Sequence, residues 1–97
     1  MKVQHYYVYI LTNSKNTVLY IGVTNNLIKR VWEHNNTLVE SFTSKYKVKK
    51  LVYFETFQTI YEAITREKQL KNWHRAWKIN LIKKTNIGFR DLYDELL

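Results

Sequence analysis

The sequence contains no cysteine, no proline and only two glycines in 97 residues. Without cysteine there are no disulfides and no Cys-based zinc sites, which suits a reducing compartment. The protein is therefore expected to be cytoplasmic, with no disulfide partner. No apolar run approaches the roughly 20 residues needed to span a bilayer, so no membrane span is expected. Residues 1–15 do not read as a signal peptide, because their apolar residues are mostly tyrosines with polar interruptions. Acidic residues are also scarce, eight against sixteen Lys and Arg. These absences exclude a membrane-spanning protein, a disordered tail and a disulfide-stapled mini-scaffold. What is present is a 45% hydrophobic chain with 15% aromatic residues. The length suits one compact domain over 1–97, burying about 60–65% of its unfolded surface.

The net charge is +8, which implies a positive surface field and a polyanionic partner, nucleic acid first. The charge is clustered. Between Arg66 and Lys84 there are seven basic residues (Arg66, Lys68, Lys71, Arg75, Lys78, Lys83 and Lys84) against one acid, Glu67. Trp73, His74 and Trp77 lie among them, and cations interleaved with aromatics favour a phosphate-tracking surface. We take Lys45, Lys68, Lys71, Arg75, Lys78 and Lys83 as the candidate nucleic-acid contacts. The bland reading is a solvated helix face. A basic helix lying on a membrane surface, or against another protein, is a third possibility.

Tyr6–Leu11 and Val18–Val23 are β-branched and aromatic runs joined by a short polar turn, which predicts an antiparallel hairpin. Thr24-Asn25-Asn26 can cap a helix over Leu27–Asn35, with Leu27, Val31 and Ile28 toward the core. Asn36–Lys50 lacks periodicity and reads mostly as loop, and Leu51–Glu55 as a third strand. Thr59-x-x-Glu62 is a capping-box pattern ahead of an apolar stripe at Ile60, Ala63, Ile64 and Leu70. One straight helix from Thr59 to Lys84 would run about 39 Å, so a break is expected near Trp73–Trp77. Phe89–Leu96 reads as a short terminal helix or turn. The order predicts an α+β domain, a small sheet with helices.

Three elements can carry chemistry. Glu67 falls within the apolar stripe, where a carboxylate needs a cation or a donor. It is either a partner of Lys71 at i+4 or a single-carboxylate ligand for Mg²⁺, an ion that keeps most of its waters. Arg30 and His34, four residues apart, share a helix face beside Leu27 and Val31. They are either surface residues or a phosphate clamp with a proton carrier. Tyr7 and Tyr9 share one face of the first strand, and Tyr20 shares a face with Gly22 on the second. Such tyrosines usually pack, while Gly22 admits close approach of a ligand or a helix.

Tyr7-Val8-Tyr9, then Tyr20-Ile21-Gly22, Arg30 eight residues on, His34 and a later helix glutamate, Glu67, together resemble the GIY-YIG nuclease family. The likeness covers nearly the whole chain and is closest to small bacterial members made of the domain alone. It implies a three-stranded antiparallel β-sheet flanked by helices, with one divalent ion, Mg²⁺ or Mn²⁺, near the sheet face. It also implies roles for Glu67 as metal ligand, Arg30 on the phosphate, and Tyr9 and Tyr20 beside the attacking water. His34 matches a position that is often His or Tyr. The first motif's glycine and isoleucine are replaced by Tyr7 and Val8, and Val23 stands where some relatives carry a lysine. The general base is thus open among Tyr20, Tyr9 and His34. The expectation is a metal-dependent endonuclease acting on structured or damaged DNA more than on RNA. The alternative is a nucleic-acid-binding module that keeps the fold and basic surface without cutting. Either would grip mainly through phosphates, in a salt-sensitive way.

Overall fold

A computed structural model describes residues 4–36 and 45–97. Three strands, β1 (Tyr6–Thr12), β2 (Leu19–Thr24) and β3 (Lys50–Phe57), form an antiparallel sheet in the order β2-β1-β3. The helices are α1 (Leu27–Asn36), α2 (Ile60–Asn72) and α3 (Arg75–Thr85), followed by a 3₁₀ turn at Tyr93–Leu96. The architecture is the expected α+β one.

Turn chemistry fixes the hairpin. The Asn13 side-chain oxygen accepts from the backbone N–H of Thr17 (2.8 Å) and Val18 (3.1 Å). Asn16 takes the left-handed conformation at φ 57°, which asparagine tolerates better than most residues. Asn26 starts α1, its side-chain oxygen accepting from the Lys29 N–H at 3.1 Å. Thr59 caps α2 by accepting from the Glu62 N–H at 3.2 Å. The Glu62 carboxylate accepts from the Thr59 hydroxyl at 2.9 Å.

β1 is the central strand and is covered on both faces. Val8 and Ile10 pack with Ile21, Val52, Ala63, Leu70 and Ile82 beneath α2 and α3. Tyr9 and Leu11 pack with Leu27, Val31, Val48 and Leu51 beneath α1 and the C-terminal turn. Between Ile10 and Leu11 the β1–β3 register shifts, leaving Val52 as an extra residue. Its carbonyl accepts from the buried Asn86 side-chain amide at 3.1 Å. That bond ties the end of α3 to the sheet and satisfies a group the bulge would orphan.

Several boundaries differ from expectation. β3 is longer than Leu51–Glu55, since backbone pairing with β1 continues past the apolar run. The helix break falls where it is expected, at Trp73, whose extended backbone ends α2 with its N–H on the Leu70 carbonyl. Ile28 and Ile64 are 40% and 38% exposed, on the flanks of their helices rather than in the core. Within the stretch read as loop, 37–44 lies outside the described residues, Val48 is fully buried and Lys50 already belongs to β3. None of the described helices is long and apolar enough to cross a membrane.

Candidate active site

The hairpin and α1 bring Tyr9, Tyr20 and His34 together. The Tyr9 hydroxyl lies 3.0 Å from Nε2 of His34. Ring centroids stand 6.3 Å apart for Tyr9–Tyr20 and 5.3 Å for Tyr20–His34. Gly22 faces Tyr9 across the β1–β2 ladder, and a Cβ there would overlap the Tyr9 ring. The space beside Gly22 is therefore filled by the phenol, not left for a ligand or a helix. Gly22 is a packing requirement for Tyr9.

Burial and the neighbouring Tyr20 hold the Tyr9 phenol well above the usual tyrosine range. The Arg30 guanidinium opposes this shift, and the Glu67 carboxylate adds to it. All four other candidates thus reach Tyr9, by contact or through their charge. Desolvation first, then the Arg30 charge, lowers His34 below its ordinary 6.5. The consequence at neutral pH is a protonated phenol beside a neutral imidazole, and Tyr9 donates to Nε2 when the imidazole carries its proton on Nδ1. The Tyr9 shift runs opposite to what a phenolate base would need.

Arg30 is partly exposed and makes a loose pair with Glu33, 3.5 Å apart. Glu67, one-fifth exposed on α2, meets the Lys71 ammonium at 3.4 Å, and that lysine is itself half-exposed. Among the described residues no three His, Cys, Asp or Glu side chains gather to hold an ion. Glu67 is nevertheless adequate for Mg²⁺, which binds through one or two carboxylates and keeps several waters. The residues present fit a largely hydrated ion, with Lys71 as the cation to be displaced.

The basic run is less uniform than its composition. Arg66 binds Glu55 bidentately, Nε to Oε1 at 2.9 Å and Nη2 to Oε2 at 3.0 Å, and lies 5.1 Å from the centroid of Trp73. Arg75 donates to the Asn16 carbonyl at 3.1 Å, and Lys78 to the Lys71 carbonyl at 3.5 Å. Lys68 and Lys83 are exposed. Lys45 stands 5.6 Å from the centroid of the Tyr46 ring. Lys47, Lys49 and Lys50 line a cavity of about 400 Å³. Only Lys45 stood out in that stretch from sequence, because the segment has no periodicity to show which lysines converge.

Residues 5–80 match the model of the GIY-YIG catalytic domain. The chain belongs to the GIY-YIG family. The domain type is that of nucleases in general and implies a nucleic-acid substrate; nucleases of this family are typically dependent on a divalent metal. Among GIY-YIG relatives, it is similar to a UPF0213 protein of Pediococcus pentosaceus, 38% identical over 87 residues and 90% of each chain. A UPF0213 protein of Clostridium perfringens is 44% identical over 81 residues, 84% of this chain and 86% of the relative. The solution NMR structure of a UPF0213 protein from Bacillus halodurans aligns with a TM-score of 0.57 at 24% identity. It covers 90% of this chain and 92% of that one, and shows the shared fold. Relative to the motif glycine, Tyr7 is a packing residue, edge-on to Phe54 with centroids 6.5 Å apart.

Proposed function

We propose that this GIY-YIG domain is a divalent-metal-dependent endonuclease that hydrolyses phosphodiester bonds, in structured or damaged DNA rather than RNA. The observation that carries this reading is the 3.0 Å contact of the Tyr9 hydroxyl with His34 Nε2, within the fields of Arg30 and Glu67. In the proposed reaction Arg30 holds the scissile phosphate and offsets the charge that grows during attack. Tyr20 positions the attacking water. With His34 as the Nδ1–H tautomer, the water proton passes to the Tyr9 oxygen as the Tyr9 proton moves to Nε2, leaving an imidazolium. The P–O bond to the leaving sugar oxygen breaks, and that oxygen takes a proton from solvent. The lowered basicity of His34 keeps its nitrogen free of a proton beforehand. Glu67 would hold one Mg²⁺ or Mn²⁺, whose chemistry is Lewis-acid neutralisation of phosphate charge. The preference for DNA rests on the family resemblance. Affinity would come chiefly from phosphate contacts and fall with salt.

A second reading, a binding module that does not cut, is favoured by one observation: Lys71 already sits on the Glu67 carboxylate. A panel of single-stranded, duplex, branched and lesion-bearing DNA, with matched RNA, separates the two. Each substrate is incubated with Mg²⁺, Mn²⁺ or EDTA and resolved on denaturing gels. The endonuclease reading expects metal-dependent fragments from at least one structured DNA. Binding across the panel without cleavage would replace it by the second reading.

A further inference from the structure

We propose that Ser14, Asn35, Lys47, Lys49 and Lys50 form a second phosphate-binding site, which grips a nucleic-acid strand away from the Tyr9–His34 centre. These residues, with Asp91, line the cavity of about 400 Å³. They come from the hairpin turn, the last turn of α1 and the approach to β3, and topology brings these to one end of the sheet. The inference rests on the nucleic-acid reading above and extends it to residues outside the candidate catalytic set.

Local structure explains why the lysines converge. Val48 is fully buried and anchors the segment, so Lys47 and Lys49 on either side of it are turned to solvent. Lys47 holds the left-handed conformation at φ 55°, which bends the chain into β3. Lys50 then enters the ladder opposite Thr12. None of the three lysines forms an ion pair with a described carboxylate. Asp91, the one acid among the described residues of the wall, is held by backbone: its Oδ1 accepts from the Leu51 N–H at 3.2 Å and the Tyr93 N–H at 3.0 Å. Three lysines therefore line a cavity whose described carboxylate already has one oxygen taken up by backbone N–H groups.

Asn35 is the polar counterpart. Its Oδ1 is buried and accepts no hydrogen bond from the described residues. Of the Asn35 amide, Nδ2 is the group able to donate to a phosphate, and Ser14 adds a hydroxyl donor. A phosphate oxygen in the cavity would accept from the lysines, the Asn35 amide N–H and the Ser14 hydroxyl.

The placement suits a strand that also reaches the candidate centre. Lys50 pairs with Thr12, three residues along β1 from Tyr9, or about 10 Å at 3.3–3.4 Å per residue. Measured along a duplex axis, where one strand's phosphates rise about 3.4 Å each, that is roughly three base steps. Asn35 follows His34 on α1 but lies about 100° further round the helix, so the two sites look out from adjacent faces of one helical turn.

The test compares the whole chain with the triple variant Lys47→Gln, Lys49→Gln and Lys50→Gln. Anisotropy is measured with a labelled duplex in EDTA, so that cleavage cannot intervene. If each lysine contributes a phosphate contact, the slope of log K against log salt falls by about 0.9 per residue, or about 2.7 in all. Between about 50 mM and about 200 mM salt the variant then loses roughly 40-fold less affinity than the wild type. Equal slopes would overturn the inference while leaving the nucleic-acid reading intact. A second arm titrates the wild type with inorganic phosphate and follows amide resonances. Shifts confined to Asn35 and Lys47–Lys50 would support the site, and their loss in Asn35→Ala would place it. If the wild type binds no duplex, the nucleic-acid reading fails and this arm decides whether the cavity is a free-phosphate site. Absence of shifts there would overturn the phosphate site as well.

Discussion

Two tyrosine hydroxyls on neighbouring strands of one sheet sit in opposite circumstances. Tyr53 on β3 donates to the Glu55 carboxylate, and both oxygens of Glu55 also accept from Arg66. Arg66 in turn contacts Gln69 and lies over Trp73. Tyr53, Glu55 and Arg66 all have partners within that cluster, and its pieces join β3 to α2 and the helix break. Tyr9 on β1 shares a hydrogen bond with a half-buried imidazole, beside an exposed arginine and a carboxylate held by one loose lysine. Both phenols are pushed well above the ordinary tyrosine range, by burial first. Perturbation alone therefore does not separate structure from chemistry. Saturation does: the Tyr53 cluster is closed, while the Tyr9 cluster retains groups that can still take a ligand.

The sharpest way to break this contrast lies on the open side. Arg30→Ala and Tyr20→Phe should each slow single-turnover cleavage by roughly 10²–10³, about 3–4 kcal/mol of transition-state stabilisation. DNA affinity should change far less, because other cations share the ground-state contacts. Rates and affinities equal to wild type for both variants would place the reaction elsewhere.

On the closed side the effect should fall on stability. The Arg66–Glu55 pair is about one-fifth exposed on each side, between a surface pair and a buried one. Arg66→Met is expected to cost about 2 kcal/mol and to lower Tm by about 10 °C. Cleavage measured well below that transition should be unchanged. A variant that melts like wild type would show the cluster to be peripheral.

Most of the fold was legible in the sequence because its signals are local. The YYVYIL and VLYIGV runs, the asparagines before α1 and Thr59 before α2 each act within a few residues. Order and spacing along the chain also marked Tyr9, Tyr20, Arg30, His34 and Glu67, which the fold brings near one another. What was hidden depends on partners far apart in sequence. Arg66 looked like one more cation in a basic run, and only the packing of α2 on β3 gives it to Glu55. Gly22 read as open space because nothing local says that the Tyr9 ring crosses it. The extra residue at Val52 and its rescue by Asn86 are likewise invisible to periodicity.

Acid and alkali should act on the two tyrosine clusters differently. Below pH 6.5 the unfolded His34 takes up a proton that the folded imidazole resists. Stability should therefore fall on acidification, until the folded imidazole also protonates. His34→Gln should flatten that part of the pH–stability curve, and the same protonation should depress the cleavage rate of the wild type. Above about pH 10 the unfolded tyrosines ionise while Tyr9 and Tyr53 stay protonated in the fold. Stability should then decline with rising pH, less steeply in Tyr53→Phe. Chemical denaturation across the pH range reads both limbs.

The smallest effect is expected at Lys71. Its pair with Glu67 is a single i,i+4 contact, worth about 0.2–0.5 kcal/mol, so Lys71→Met should barely move Tm. It should lower the Mg²⁺ concentration needed for half-maximal cleavage, because a competing cation is gone. A higher requirement would mean that Lys71 assists the ion rather than competes with it.

The central claim is tested most directly by measuring Glu67→Gln beside Glu55→Gln, each for melting and for metal-dependent single-turnover cleavage. The account predicts that Glu67→Gln melts like wild type and does not cut, since the amide keeps the shape but loses the charge. Glu55→Gln should melt several degrees lower and cut at the wild-type rate while folded. Wild-type cleavage by Glu67→Gln, or loss of cleavage in folded Glu55→Gln, would contradict it.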